Sequence, residues 1–221
     1  MGEMTSVTGA DGFAFSAWRA APSGQRKGGV IVVQEIFGLD EHVRRDADRW
    51  ASLGFEALAP SLFDRREKDF LAGHDAAGMQ AGIAHARATP LDQALTDIAA
   101  CRNDLAPRGK VFVVGYCYGG SLAWLAAGKL DGLAGASSYY GSLVQANAAL
   151  KPLCPTIVHL GRKDTGIPAD EVKGAVQAAN PDVPVYIYED AGHGFNNEDP
   201  ARHEGAAAEL ARQRTLELFG G

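Results

Sequence analysis

Short apolar runs alternate with stretches of helical periodicity along most of this 221-residue chain. Residues 30–33 read Val-Ile-Val-Val, a β-branched run typical of a strand that is buried on both faces of a sheet. Strands of this kind belong to parallel sheets, whose connections are helices that cover the sheet. The alternation therefore predicts an α/β fold with a mostly parallel central sheet and helices on both faces.

Periodicity, capping residues and breakers give the individual elements. The predicted strands span residues 30–33, 55–59, 111–114, 134–140, 156–160 and 185–188, and the predicted helices span residues 40–53, 91–105, 120–130 and 202–219. Asp40 is a suitable N-cap for the first of these helices, and Gly54 ends it. Residues 4–20 are expected to form a hairpin that turns at residues 11–12. The weakly periodic residues 61–90 predict either a mobile excursion over the sheet edge or a solvated loop with a short helix.

Length, charge and cysteine content narrow the class of protein. The length, with no repeat or linker, predicts a single domain over residues 1–221. The net charge of −6 argues against nucleic acid or an anionic membrane as a partner. Without a membrane span or a signal peptide, the three cysteines are expected to be reduced thiols in a cytoplasm. No Cys/His spacing resembles a zinc site, and neither a metal nor a cofactor is expected. Monomer and dimer both remain open.

Residues 115–119 read Gly-Tyr-Cys-Tyr-Gly, directly after a predicted strand and before a predicted helix. The same pattern with a central serine forms the sharp strand-to-helix turn that exposes the nucleophile of many hydrolases. Glycines are needed there because the strained backbone crowds its neighbours. The following helix directs its N-terminal amides at Cys117, which favours the thiolate. The pattern predicts that Cys117 is a nucleophile; the alternative is a structural cysteine at a glycine-rich bend.

A nucleophile of this kind needs a base and an acid that orients the base. Asp164 and His193 follow two successive predicted strands after Cys117, in the order nucleophile, acid, histidine. The carboxyl ends of parallel strands meet at the edge where such sheets bind ligands. We therefore expect His193 to be the base and Asp164 its partner, with Asp190 as a competing acid. His159 lies inside an apolar strand and is expected to be a core residue.

Glu35 directly follows the first buried strand. A carboxylate in this place is costly unless it is paired or opens into a cleft. The first loop at this edge of a hydrolase sheet supplies one amide of the oxyanion hole, and the residue after the nucleophile supplies the other. We therefore expect Glu35 near the thiol and the amides of Ile36 and Tyr118 around the oxyanion.

Five motifs stand out along the chain: Gln34-Glu35-Ile36-Phe37-Gly38, Gly115-Tyr116-Cys117-Tyr118-Gly119-Gly120, Tyr139-Tyr140-Gly141, Gly161-Arg162-Lys163-Asp164 and Gly192-His193-Gly194-Phe195. Taken together, they resemble the dienelactone hydrolase family over residues 11–219. The resemblance implies an α/β-hydrolase fold. It also implies a carboxylic ester hydrolase, whose named reaction opens 4-carboxymethylenebut-2-en-4-olide to maleylacetate during the degradation of chloroaromatic compounds.

The resemblance also implies roles for individual residues. The implied triad is Cys117, His193 and Asp164. Glu35 would hold the resting thiol and swing to take its proton when substrate binds, while Phe37 and Tyr140 would line the pocket.

One position departs from the family pattern. Family enzymes that form the dianionic product maleylacetate use an arginine to hold the substrate carboxylate, four residues after the catalytic histidine. This chain has Asn197 there. Without a guanidinium the main recognition of a substrate carboxylate is lost. A second arginine of the family pattern comes from the region before the helix at residues 91–105, and this chain has none at that place. Arg65, Arg66 and Arg87 lie near that region as alternatives, so the exact lactone stays open.

The favoured function is the hydrolysis of a small lactone or an activated ester without a cofactor. A non-catalytic ligand binder on a hydrolase scaffold is a second hypothesis. A redox protein that uses Cys117 as a peroxide-sensitive thiolate is a third, although neither Cys101 nor Cys154 is an evident resolving cysteine.

Overall fold

The computed structural model describes residues 1–220, which divide into two compact units between Val113 and Val114. The strands are β1 (Glu3–Thr8), β2 (Ala14–Ala20), β3 (Gly28–Val33), β4 (Phe55–Pro60), β5 (Val111–Tyr116), β6 (Gly135–Tyr139), β7 (Thr156–Gly161) and β8 (Val185–Tyr188). The α-helices are α1 (Glu41–Ser52), α2 (Ala76–Ala88), α3 (Leu91–Leu105), α4 (Tyr118–Lys129), α5 (Ala169–Ala179) and α6 (Gly205–Leu218). The strands form an eight-stranded sheet in the order β1-β2-β4-β3-β5-β6-β7-β8. The prediction of an α/β fold with a mostly parallel sheet is confirmed.

The first unit combines an antiparallel edge with parallel strands. β1 and β2 form the predicted hairpin, with Thr8 opposite Ala14 and Gly12 in the left-handed region at φ 82°. β2 pairs antiparallel with β4, and β3 pairs parallel with β4. Every residue of β3 is buried, as its apolar sequence predicts. Asp40 caps α1 by accepting the N–H of Val43 at 3.0 Å.

The second unit contains the parallel strands β6, β7 and β8. Its core holds a polar cluster around His159, whose side chain is fully buried. The Nδ1 atom of His159 lies 2.9 Å from the hydroxyl of Tyr188, and its Nε2 atom lies 3.2 Å from the hydroxyl of Thr215 on α6. Thr215 donates to the carbonyl of Ala211, and Arg214 donates to the Tyr188 hydroxyl. These directions assign the proton of a neutral ring to Nε2. His159 is thus a core residue, as predicted.

Two helices were not predicted as separate elements. α2 forms within residues 61–90, where the short-helix alternative is the correct one, and it buries only Gly82, so it has no apolar stripe to detect. α5 is absent from the predicted helices, because its apolar stripe is short. α4 begins at Tyr118 rather than residue 120, directly after the turn at Cys117. α6 begins at Gly205 rather than residue 202, since Glu204 caps it by accepting the N–H of Ala207.

Within residues 1–220, no helix combines the length and the apolar composition needed to cross a membrane.

Candidate active site

Cys117 occupies a strained turn between β5 and α4. Its φ of 54° and ψ of −110° lie outside the regions that L-residues ordinarily adopt. Such a conformation costs on the order of 1–3 kcal/mol and persists only where neighbouring structure enforces it. Here the Cys117 N–H donates to the carbonyl of Tyr139 at 3.0 Å, and the Cys117 carbonyl accepts the N–H of Ser121 at 3.0 Å. The turn is therefore held from both sides by backbone hydrogen bonds.

Glycine is required on both sides of this turn. A Cβ atom on Gly115 would lie 2.0 Å from the carbonyl oxygen of Gly119, and one on Gly120 would lie 2.1 Å from the carbonyl oxygen of Tyr139. Both obstacles are backbone atoms, which cannot move aside as the end of a side chain can. The glycine-rich sequence thus has a direct steric cause, and the geometry is that of a nucleophile elbow.

Three of the predicted site residues form one hydrogen-bonded chain. The Nε2 atom of His193 lies 3.1 Å from the sulfur of Cys117, and its Nδ1 atom lies 2.7 Å from Oδ2 of Asp164. The other oxygen of Asp164 accepts the N–H groups of Gly166 at 2.8 Å and Ile167 at 3.1 Å. The carboxylate is nearly inaccessible to solvent, with 3% of its side chain exposed. Cys117, His193 and Asp164 therefore meet in one hydrogen-bonded chain.

The two loops that carry Asp164 and His193 are joined to each other. The N–H of Lys163 donates to the carbonyl of Ala191 at 2.8 Å. The competing acid, Asp190, is exposed and binds the ammonium of Lys163 at 2.9 Å. The hydrogen bond to the His193 ring is therefore made by Asp164, and Asp190 faces solvent.

The electrostatics of the chain favour a charged histidine. Burial opposes the charge on His193, but hydrogen bonds to Asp164 and Cys117 outweigh it and raise the pKa of His193 to about 10. At neutral pH the ring then carries a proton and faces the Cys117 sulfur as an imidazolium.

The other two thiols are in different surroundings. Burial raises the pKa of Cys101, and the negative charge of Asp97 raises it further. Burial also raises the pKa of Cys154, against a hydrogen bond from Thr156 that lowers it. Neither thiol has the neighbours that would make it reactive near neutral pH.

Tyr140 packs directly on the catalytic histidine candidate. It is fully buried, and its ring centroid lies 5.1 Å from that of His193 and 5.2 Å from that of Phe195. Its φ of 38° is in the left-handed region, and its N–H donates to the carbonyl of His159 at 2.8 Å. Tyr140 thus supports the His193 imidazole from the side.

Two further predicted residues lie in the same unit. Tyr118 is the first residue of α4, so its N–H is among those that a helix leaves for partners outside it. Asn197 is almost completely buried, and its side-chain oxygen accepts the N–H of Asp199 at 3.0 Å. This short-range bond turns part of the amide back onto its own loop.

The remaining predicted residues, Glu35, Ile36 and Phe37, follow β3 in the first unit. Glu35 and Phe37 each expose only 2% of their surface. Gln34 organises this segment by accepting the N–H of Leu62 at 3.1 Å and donating to the carbonyl of Glu35 at 3.2 Å. The carboxylate that follows β3 is therefore a buried one.

Some contacts in the first unit were missed by sequence reasoning. The ring of His74 stacks on Phe37 with centroids 4.1 Å apart. The guanidinium of Arg65, one of three predicted alternatives for binding a substrate carboxylate, is committed to Asp97 at 2.7 Å and to Asp11 at 2.7 Å. Only 8% of the Arg65 side chain is exposed. Arg66 and Arg87 remain as alternatives, and Arg87 lies on the exposed side of α2. Among residues 1–220, no cluster of three or more His, Cys, Asp or Glu side chains is arranged to hold a metal.

Comparison with known protein sequences identifies the family of this chain. The family model described as "Dienelactone hydrolase family" matches residues 15–221. A "Putative carboxymethylenebutenolidase" of Salmonella typhimurium is 34% identical over 210 residues, which cover 86% of this chain and 76% of the relative. A carboxymethylenebutenolidase of Pseudomonas putida is 29% identical over 228 residues, which cover 98% of this chain and 95% of the relative.

A solved structure has a similar fold along the whole chain. It is the crystal structure described as a "Putative Dienelactone Hydrolase" from Klebsiella pneumoniae, with a TM-score of 0.85 and 27% sequence identity. The match covers 100% of this chain and 99% of that one.

Proposed function

This chain belongs to the dienelactone hydrolase family and is a hydrolase of esters or lactones, and we propose that Cys117, His193 and Asp164 are its catalytic triad. The observation that carries the proposal is the continuous chain from the Cys117 sulfur through the His193 ring to Asp164, with contacts of 3.1 Å and 2.7 Å. A thiol beside an imidazole that is itself oriented by a carboxylate is the arrangement that nucleophilic catalysis requires.

The reaction proceeds in two halves. The thiolate of Cys117 attacks the carbonyl carbon, and the negative charge moves to the carbonyl oxygen. When this intermediate collapses, the carbon–oxygen bond of the ester breaks, His193 gives its proton to the leaving oxygen, and a thioester remains. A water molecule then attacks the thioester while His193 takes one of its protons. The carbon–sulfur bond breaks, the acid product leaves, and the thiolate of Cys117 is restored. In a lactone, the leaving oxygen stays attached to the acyl group.

The amides of Ile36 and Tyr118 are proposed to hold the oxyanion. Removing one such donor typically lowers kcat by about 10²–10³. Tyr118 supports this role through its place at the start of α4, and Ile36 through its place directly after β3. Glu35 is proposed to hold the thiol in the resting enzyme and to take its proton when substrate binds.

The proposed substrates are uncharged small lactones and aryl esters. Asn197 stands where the family pattern has an arginine, and its side-chain oxygen is bonded to its own loop. A neutral amide cannot replace the paired charge that a guanidinium offers a carboxylate. Phe37 and Tyr140 are proposed to line the substrate pocket with their aromatic rings.

The test is the release of p-nitrophenol from p-nitrophenyl acetate by the purified protein. We expect a burst equal to one product per active site, followed by slower turnover, and no burst from Cys117→Ala. Cys154→Ala is the matched control, since it removes a thiol that has no imidazole neighbour. Absence of turnover with all esters and lactones would support a non-catalytic binder instead, and peroxide turnover with a thiol reductant would support a redox protein. Iodoacetamide labelling of Cys101 or Cys154, rather than Cys117, with loss of activity would also contradict the proposal.

A further inference from the structure

Helix α2 rests on the first unit through one glycine. Most of its residues are exposed, and only Gly82 is buried. A Cβ atom on Gly82 would lie 2.2 Å from the carbonyl oxygen of Ile36 and 3.0 Å from its carbonyl carbon. Non-bonded carbon atoms normally approach to about 3.5 Å. Any side chain at this position would therefore displace either α2 or the peptide group that follows Ile36, by more than about 1 Å.

The chain that leads into α2 is bound to the same segment. The N–H of Ala72 donates to the carbonyl of Phe37 at 3.1 Å, and Leu71 forms an isolated β-bridge with Gly38. The ring of His74 lies parallel to that of Phe37, with an interplanar angle of 25°. Residues 71–82 therefore contact residues 36–38 at several points, and displacement of either segment affects the other.

His74 adds a polar contact at the end of this segment. Its Nε2 atom lies 2.9 Å from Oδ2 of Asp40, whose other oxygen caps α1. This contact links the segment before α2 to the N-terminus of α1, a helix whose inner face is buried. It thereby holds the segment before α2 against the segment between β3 and α1.

We infer that Gly82 is a positioning residue, which seats α2 on the Ile36 carbonyl and thereby fixes the backbone of residues 35–37. The inference rests on the proposed function, in which the Ile36 amide holds the oxyanion and Glu35 controls the thiol. The Ile36 carbonyl belongs to the peptide group next to the one that carries the Ile36 N–H. A displacement of the carbonyl by about 1 Å turns this neighbour as well, and oxyanion donors act only when held within about 0.5 Å of their productive position.

The decisive experiment compares Gly82→Ala with Gly174→Ala. Both replace a helical glycine by the residue with the highest helix propensity. A Cβ atom on Gly174, in the exposed face of α5, meets nothing within 4 Å. We expect Gly174→Ala to keep the wild-type kcat and KM for p-nitrophenyl acetate. We expect Gly82→Ala to lower kcat tenfold or more, with KM changed less than about threefold, because an oxyanion donor acts in the transition state and not in substrate binding.

His74→Ala is a second test, in which the substitution removes atoms and adds none. It removes the stack on Phe37 and the bond to Asp40, and it should lower kcat in the same direction by a smaller factor. Unchanged kcat in Gly82→Ala, or a raised KM with unchanged kcat, would overturn the inference. If Gly82→Ala does not fold, unchanged kcat in His74→Ala overturns it instead. These results leave the proposed function intact, which fails only if the wild-type protein has no turnover or Cys117→Ala retains it.

Discussion

Replacing His159 with glutamine should make the protein less sensitive to mild acid. Burial in the core, together with the smaller effect of the positive charge of Arg214, lowers the pKa of His159 to about 3. In the unfolded chain the same ring takes up a proton near pH 6.5. Between these two values the unfolded state binds more protons than the folded state. The contribution of His159 to stability is therefore complete above about pH 6.5 and is lost progressively as the pH falls toward 3.

The size of the effect follows from the width of this window. One proton difference changes the free energy of unfolding by about 1.4 kcal/mol for each pH unit. Between pH 6.5 and pH 4 the loss is then on the order of 3 kcal/mol, a large part of the roughly 5–15 kcal/mol of a typical domain. A glutamine amide accepts from the Tyr188 hydroxyl and donates to the Thr215 hydroxyl without titrating. It therefore preserves the pattern of the cluster and removes the acid-sensitive group.

The assay is urea unfolding of the wild-type protein and His159→Gln at pH 7, 5.5 and 4, at constant ionic strength. We expect the stability difference between the two proteins to shift in favour of His159→Gln by about 3 kcal/mol between pH 7 and pH 4. His203→Gln, which changes an exposed histidine, should follow the wild-type curve. Parallel curves for wild type and His159→Gln would refute the reasoning, because the ring would then accept a proton without loss of the fold.

Three further results are expected. Asp164→Asn and His193→Ala should each lower kcat by several powers of ten. The double variant should be little worse than the poorer single variant, because members of a triad act as a unit. Fully additive losses in kcat would show that the two residues act separately. The wild-type protein should have a higher kcat/KM for neutral lactones than for a carboxylated one. Asn197→Arg should shift this preference toward the carboxylated lactone by roughly ten- to a hundredfold, the value of one charge-assisted contact. A wild-type preference for the carboxylated lactone would contradict the substrate proposal. Cys101→Ala should lower the midpoint of thermal unfolding and leave the ester kinetics unchanged, since Cys101 is fully buried; an equal fall in kcat would indicate that this thiol also acts in turnover.

Sequence reasoning succeeded where a physical requirement is local. The apolar run of β3, the cap at Asp40 and the crowding around Cys117 each leave a recognisable pattern of residue types. The proximity of Asp164 and His193 could be predicted because parallel strands deliver their following loops to one edge of a sheet.

The same reasoning failed where a structure depends on a single distant contact. α2 lacks an apolar stripe because it is seated by Gly82 on a backbone carbonyl, and a glycine in a helix ordinarily counts against the helix. The commitment of Arg65 to two aspartates could not be read either, since Asp97 and Asp11 lie far from it along the chain. The partners of a charged side chain follow from the tertiary fold, which a short motif does not contain.

The backbone contacts around Cys117 fix the shape of the turn independently of which atom, sulfur or oxygen, the side chain of residue 117 carries. Gly115 meets Gly119, and Gly120 meets Tyr139, through main-chain atoms alone, while the side chain of residue 117 points away from these contacts toward His193. A change from sulfur to oxygen at this position would leave every one of the crowding contacts as it is. The fold can therefore exchange a thiol for an alcohol by one substitution, with a different leaving-group preference and a different tolerance of oxidants, and without any redesign of the main chain around the turn.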